Sequence, residues 1–292
     1  MNTLNRAQAH PVALETTLLV HGVPKAAARP LAEQLNAIVE SEGATPALVG
    51  VINGTPTVGM THDELDEMLS AESVAKANTA NLGVLMARKR HAATTVSATM
   101  ELAASAGVRL FATGGLGGVH PGYATHLDIS SDLTAFTRFP VAVVTSGVKS
   151  ILDVESTREA LETLGVPVVG YQTDAFPAFY LRESAASVDA RFDDPDELAA
   201  FIAAELARTN RGIVVANPIP HADQIDPAQW SDWLSQAQHA ADDAGATARA
   251  RTPALLAALH ELSAGRTLEA NLALVRANAR LAAALASRLG AP

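Results

Sequence analysis

The chain contains no cysteine. Disulfides, thiolate metal sites and a cysteine nucleophile are therefore all excluded, and the absence agrees with a reducing compartment. Aromatic residues make up only 4% of the 292 positions. Composition leans on alanine instead, which favours helix and close helix packing. No uninterrupted apolar run reaches the ~20 residues that a membrane-spanning helix needs. Met1 to Pro11 is polar and lacks the apolar centre of a signal peptide, so a cytoplasmic location is expected. Basic residues are outnumbered, 21 Lys and Arg against 31 Asp and Glu, for a net charge of −10. A basic field for nucleic acid is thus missing, and neither a nucleic acid nor a membrane is expected as a partner. The cluster Arg88-Lys89-Arg90-His91 is a local exception and reads as a solvated surface loop. Histidine-rich metal spacing, a Walker loop, a G-x-G-x-x-G fingerprint and a G-x-S-x-G elbow are all lacking.

Apolar residues make up 48% of the chain, enough to bury a substantial core. Short apolar runs at Ala47–Ile52, Arg109–Thr113, Val141–Ser146, Val166–Tyr171 and Gly212–Asn217 predict strands buried on both faces. Apolar residues at three- and four-residue spacing predict helices over Arg29–Glu42, Thr94–Ser105, Ser150–Leu164, Pro195–Thr209, Trp230–Ala244 and Leu268–Leu289. The alternation predicts an α/β fold of three layers, α/β/α, with a largely parallel, mixed central sheet. No composition break marks a boundary, so residues 1–292 are expected to form one domain. The part from Ala222 onward reads as a helical C-terminal appendage.

Open parallel sheets bind ligands at the carboxyl ends of their strands. That rule points to the segment from Thr113 to Lys149. Thr113–Gly118 holds four glycines in six residues. Such a loop lets backbone amides approach an anion, and it equally makes a tight strand-to-helix turn. Lys149 follows a strand run and opens a helical one, where a helix N-terminus and partial burial would disfavour its charge. An amine of lowered pKa can attack carbon; a surface lysine would instead snorkel from the helix start. Asp128 and Asp132, four apart, would share one helix face and suit Mg²⁺ or Mn²⁺, or else serve as helix caps. Glu15 lies inside an apolar run, where a carboxyl lacking a partner has a raised pKa and suits proton donation; an exposed strand position is the alternative. Lys76 sits in a polar stretch that reads as helical.

Several long segments, taken together, resemble the pseudouridine-5′-phosphate glycosidase family. They are ALETTLLVHGVP at 13–24, AATTVSATMELAASAGVRLFATGGLGGVH at 92–120, LDISSDL at 127–133, SGVKSILD at 146–153, LETLGVPVVGYQTDAFPAFY at 161–180, GIVVANPIP at 212–220 and LEANLALVRANARLAA at 268–283. The resemblance implies a hydrolase that reversibly cleaves pseudouridine 5′-phosphate to uracil and ribose 5-phosphate through a Schiff base on lysine. It also implies an α/β/α fold, one divalent metal, typically Mn²⁺, and a homotrimer. Carried over motif by motif, it makes Lys149 the covalent nucleophile, Glu15 the proton donor and Asp128 the metal ligand. Ser130, Ser131 and Asp132 fall on a substrate-binding stretch. His120, Lys76, Val96, Thr113 and Asn271 are further substrate-binding candidates.

The chain departs from the family where His120-Pro121-Gly122 stands in place of His-Arg-Gly, and at Lys25-Ala26-Ala27. Both departures bear on substrate preference rather than on the reaction. Two neighbouring activities stay open: a related C-nucleoside enzyme using another base, and a lysine-dependent sugar-phosphate aldolase.

Overall fold

The computed structural model describes residues 3–243 and 248–289. Its strands are β1 (Leu4–Asn5), β2 (Pro11–Glu15), β3 (Thr45–Ile52), β4 (Thr55–Val58), β5 (Ala75–Ala77), β6 (Ala92–Thr94), β7 (Leu110–Ala112), β8 (Ala142–Thr145), β9 (Val168–Tyr171), β10 (Ala190–Phe192) and β11 (Ile213–Ala216). They form one sheet in the order β1-β4-β3-β2-β7-β8-β11-β9-β10, with β6 also on β3 and β5 on β6. Pairing is parallel except where β3 meets β4 and β6. The fold is α/β with a mostly parallel, mixed sheet, as the alternation of apolar runs predicts.

Central strands read as unbroken apolar runs because both faces are covered. Val143, Val144, Val214 and Val215 are fully buried. One face packs against the Lys25–Ser41 and Arg266–Ala286 helices, and the other against Val96–Ser105. Within Arg266–Ala286, Ala270, Leu274, Leu281 and Leu285 are buried at helical spacing. Burying a leucine side chain contributes roughly 1.5–3 kcal/mol, so this stripe docks the helix firmly.

Several expectations need revision. Arg266–Ala286 is part of a sheet-covering layer, so the appendage is confined to Pro227–Asp243 and Ala248–Leu262, which pair with each other. Ala244, the end of one predicted helix, lies outside the described residues. The helix expected from Ser150 starts at Val154, where the Asp153 carboxylate accepts from the Ser156 amide at 2.9 Å. Lys149 therefore precedes the first residue of that helix by five positions rather than opening it. Lys76 lies on strand β5, not on a helix. Asp128 is in a loop and Asp132 is in the first turn of the Ser131–Phe136 helix, so they share no helical face. Of the Arg88-Lys89-Arg90-His91 cluster, the first three residues are exposed, as expected, while His91 is half-buried with its Nε2 3.7 Å from Glu67. No helix among the described residues is long and apolar enough to cross a membrane.

Candidate active site

Parallel strands deliver their exits to one edge of the sheet. Glu15 ends β2, and Thr113 follows β7 directly beside it, since Leu14 pairs with Ala112. Ser146 to Lys149 follow β8 on the far side of β7. The lysine's course is fixed by backbone bonds: the Leu116 amide donates to the Gly147 carbonyl at 2.9 Å, and the Lys149 amide to the Leu116 carbonyl at 3.1 Å. Lys76 comes from the lateral pair β5–β6. These exits surround a cavity of about 430 Å³ whose wall includes Glu15, Lys76, Lys149 and Asn271.

Glu15 is only partly open to solvent. Burial pushes its pKa up, while Lys149, the Thr113 hydroxyl that donates to it, and Lys76 pull the other way. Lys76 is exposed on the cavity wall. Its pKa is lowered, first by partial desolvation and then by the positive charge of Lys149. Lys149 is exposed, not part-buried as its place after a strand suggests. The site thus offers a carboxyl biased toward holding its proton and a lysine biased toward losing one, both facing an accessible amine. Such a set can protonate, bind an anion and attack an electrophilic carbon.

Asn271 carries a buried Oδ1 with no hydrogen-bond partner among the described residues, close against the glycine loop. A buried acceptor of this kind is suited to a ligand donor. Val96, Thr113, His120, Asp128, Ser130, Ser131 and Asp132 do not reach the cavity wall. Val96 and Thr113 are buried behind it. Asp132 is buried too, accepting from the Ser97 amide and the Gly117 amide, each at 2.9 Å. Its negative charge nonetheless acts on both Glu15 and Lys76. Ser130 caps the Ser131–Phe136 helix, and the Ser131 hydroxyl meets that of Ser97 at 3.0 Å.

The glycines of the loop are explained largely by packing. A Cβ on Gly115 would come within 2.4 Å of the Phe179 ring, one on Gly117 within 2.4 Å of Ser130 Oγ, and one on Gly118 within 2.3 Å of Thr157 Oγ1. Only Gly114 and Gly115 face the cavity, and the Gly117 amide is committed to Asp132. Phe179 adopts φ 59°, the left-handed region that is strained for a bulky residue, and its ring forms part of the floor.

Asp128 is exposed, its Oδ2 3.8 Å from His120 Nδ1. Among the described residues no group of three or more His, Cys, Asp or Glu side chains gathers to hold a metal. A single exposed carboxylate off the cavity wall offers one oxygen to a cation ligated mainly by water, as Mg²⁺ or Mn²⁺ sites often are.

Composition and spacing did not point to His21, His260, Phe179 or Tyr180, all on the cavity wall. His21 follows Glu15 in a π-helical turn, Leu18–Gly22, an irregularity frequent at functional sites. Its pKa is lowered by burial and then by Lys76.

Fold and cavity together define an α/β protein with a small-molecule site at the carboxyl edge of its sheet. Residues 3–288 match the family described as indigoidine synthase A like protein. A pseudouridine-5′-phosphate glycosidase of Nocardioides sp. is 46% identical over 94% of this chain and 90% of its own length. One from Symbiobacterium thermophilum is 43% identical over 96% and 92%. The prealnumycin C-glycosynthase AlnA, solved with ribulose 5-phosphate, superposes with a TM-score of 0.90 at 32% identity, covering 99% of this chain and 98% of that one. An indigoidine synthase A-like protein from Thermotoga maritima gives 0.88 at 35% identity, with 97% and 95% covered. The chain belongs to this enzyme family, that of the pseudouridine-5′-phosphate glycosidases.

Proposed function

We propose that this enzyme is a C-glycosidase that reversibly cleaves pseudouridine 5′-phosphate to uracil and ribose 5-phosphate through a covalent lysine–ribose intermediate. The observation that carries this reading is the meeting of Glu15, Lys76 and Lys149 on one cavity wall. The names of its relatives and the sugar phosphate in a neighbouring structure support it.

The bond to be broken joins carbon to carbon, so the leaving group has no lone pair to protonate. The two-carboxylate route of ordinary glycosidases is poor here. An amine route avoids the difficulty. The amine of Lys149 bonds to C1′ as the C1′–O4′ bond breaks and opens the ring, a proton passing from nitrogen to the released oxygen. A proton delivered to uracil C5 lets the C1′–C5 bond break: its electron pair stays on the uracil ring, and the lone pair of the Lys149 nitrogen forms the protonated imine to C1′. Water hydrolyses the imine, releasing ribose 5-phosphate and restoring the amine. Glu15, held toward its protonated form, moves protons during ring opening and cleavage. Lys76 and the Gly114–Gly115 edge bind the phosphate through charge-assisted hydrogen bonds. Asn271 accepts from the base or sugar. Asp132, Ser130, Ser131, His120, Val96 and Thr113 shape and orient the site from behind. Asp128 would hold a divalent cation, Mn²⁺, which when bound would polarise substrate oxygens. The protein would act in the cytoplasm as a homotrimer of single-domain subunits.

Uracil release from pseudouridine 5′-phosphate, followed at 1:1 stoichiometry with ribose 5-phosphate, tests the reaction. Release of neither product would overturn it. The neighbouring C-glycosynthase and the Pro121 departure favour one second reading, a C-nucleoside enzyme with another base. Incubating ribose 5-phosphate with a panel of bases separates the two.

A further inference from the structure

One fully buried side chain outside the cavity touches three strand exits at once. Asn278 lies on the Arg266–Ala286 helix with 0% exposure. Its Nδ2 donates to the Thr113 carbonyl at 2.8 Å and to Ser146 Oγ at 3.1 Å. Its Oδ1 accepts from Asn217 Nδ2 at 2.9 Å. Thr113, Ser146 and Asn217 are the residues immediately after β7, β8 and β11, which are adjacent in the sheet. The ring is closed by Ser146 Oγ, which donates to the Asn217 carbonyl at 2.9 Å.

Such a residue is unexpected on its stripe. The helix otherwise buries Leu274, Ala279, Leu281 and Ala282 there. Only a planar amide offers donor and acceptor together in this fixed geometry. A leucine would fill the space and strand the Thr113 carbonyl and the Asn217 amide. The beneficiaries are the two reacting groups. Thr113 donates its hydroxyl to Glu15, and Ser146 begins the turn that ends in Lys149. The hydrogen bonds of Asn278 go to Thr113, Gly114, Ser146 and Asn217 rather than to Glu15 or Lys149, so its action on them runs through the strand ends.

We propose that Asn278 is a positioning residue that sets the placement of Glu15 relative to Lys149. The inference rests on the roles assigned above to those two residues. Asn278→Ala leaves the cavity lining intact but frees Thr113, weakening its hold on Glu15. The expected result is a fall in kcat of at least tenfold, with KM within twofold of the starting protein. The Glu15 carboxyl, followed by infrared titration and assigned against Glu15→Gln, should titrate at higher pH. That second readout needs no turnover. A protein that releases no uracil would therefore count against the reaction and leave the Asn278 test standing. Leu285→Ala, buried on the same helix seven residues further on, controls for lost stability. Should Asn278→Ala not fold, Asn217→Ala loosens the clamp from its other end, and the same changes are expected at smaller size. An unchanged kcat and Glu15 titration in a folded variant would overturn the proposal. So would Leu285→Ala reproducing both changes.

Discussion

The Thr113 hydroxyl donates to the Glu15 carboxyl across 98 positions of sequence. The contact exists because β2 and β7 are parallel neighbours that end level with one another. It opposes burial: desolvation raises the Glu15 pKa and this bond lowers it. Thr113→Val removes the bond while keeping the shape. The alkaline limb of the activity profile is then expected to move to higher pH, with kcat reduced. A limb that stays put or moves down would contradict the Glu15 assignment.

The same shift has a stability sign. A carboxyl whose folded pKa is raised binds its proton more tightly in the folded state, so stability falls as pH rises from the unfolded value through the folded one. Melting temperature should decline over that window, and Glu15→Gln should flatten the decline while abolishing proton donation. Equal slopes in both proteins would show that Glu15 does not titrate there.

Lys149→Ala is expected to lose turnover by several orders of magnitude while still folding, since the side chain is exposed and surface substitutions usually fall within ±0.5 kcal/mol. Borohydride added with ribose 5-phosphate should leave a pentose-phosphate adduct on Lys149 in the starting protein and none in the variant. Turnover near the original rate in Lys149→Ala would refute the covalent route.

Gly115→Ala places a methyl 2.4 Å from the Phe179 ring, with Gly147's carbonyl 3.4 Å away. Overpacking of this kind costs about 1–3 kcal/mol. Denaturant unfolding should report that loss, accompanied by a raised KM as Phe179 leaves the floor of the cavity. A neutral substitution would mean the ring moves aside freely.

Asp128→Ala and exhaustive chelation should lower activity to a similar extent and non-additively. Full activity in the metal-free protein would contradict the Mn²⁺ assignment.

The central strands were legible because burial on both faces favours apolar residues: β7, β8, β9 and β11 fall within their predicted runs, and β3 begins two residues before its run, at Thr45. The short lateral strands β4, β5 and β6 escaped notice. Three or four residues carry too little pattern, which is why Lys76 read as helical. Spacing placed Asp128 and Asp132 together, but a bridge between Val119 and Ile129 pulls Asp128 out into a loop. Glu15 was recognisable as a carboxyl in an apolar run. Asn278 left a signal too, a polar residue on an apolar helical stripe seven positions after Asn271, but its three partners come from separate strands that sequence spacing does not connect.

The Asn278 contact to Thr113 closes a loop of 165 residues. Contacts of such separation form slowly, because chain entropy is lost before they are made. During refolding from denaturant, helical circular dichroism should therefore recover well ahead of activity. A species formed between the two is then expected to have its helices and much of its sheet in place while its acid and its amine are not yet in register.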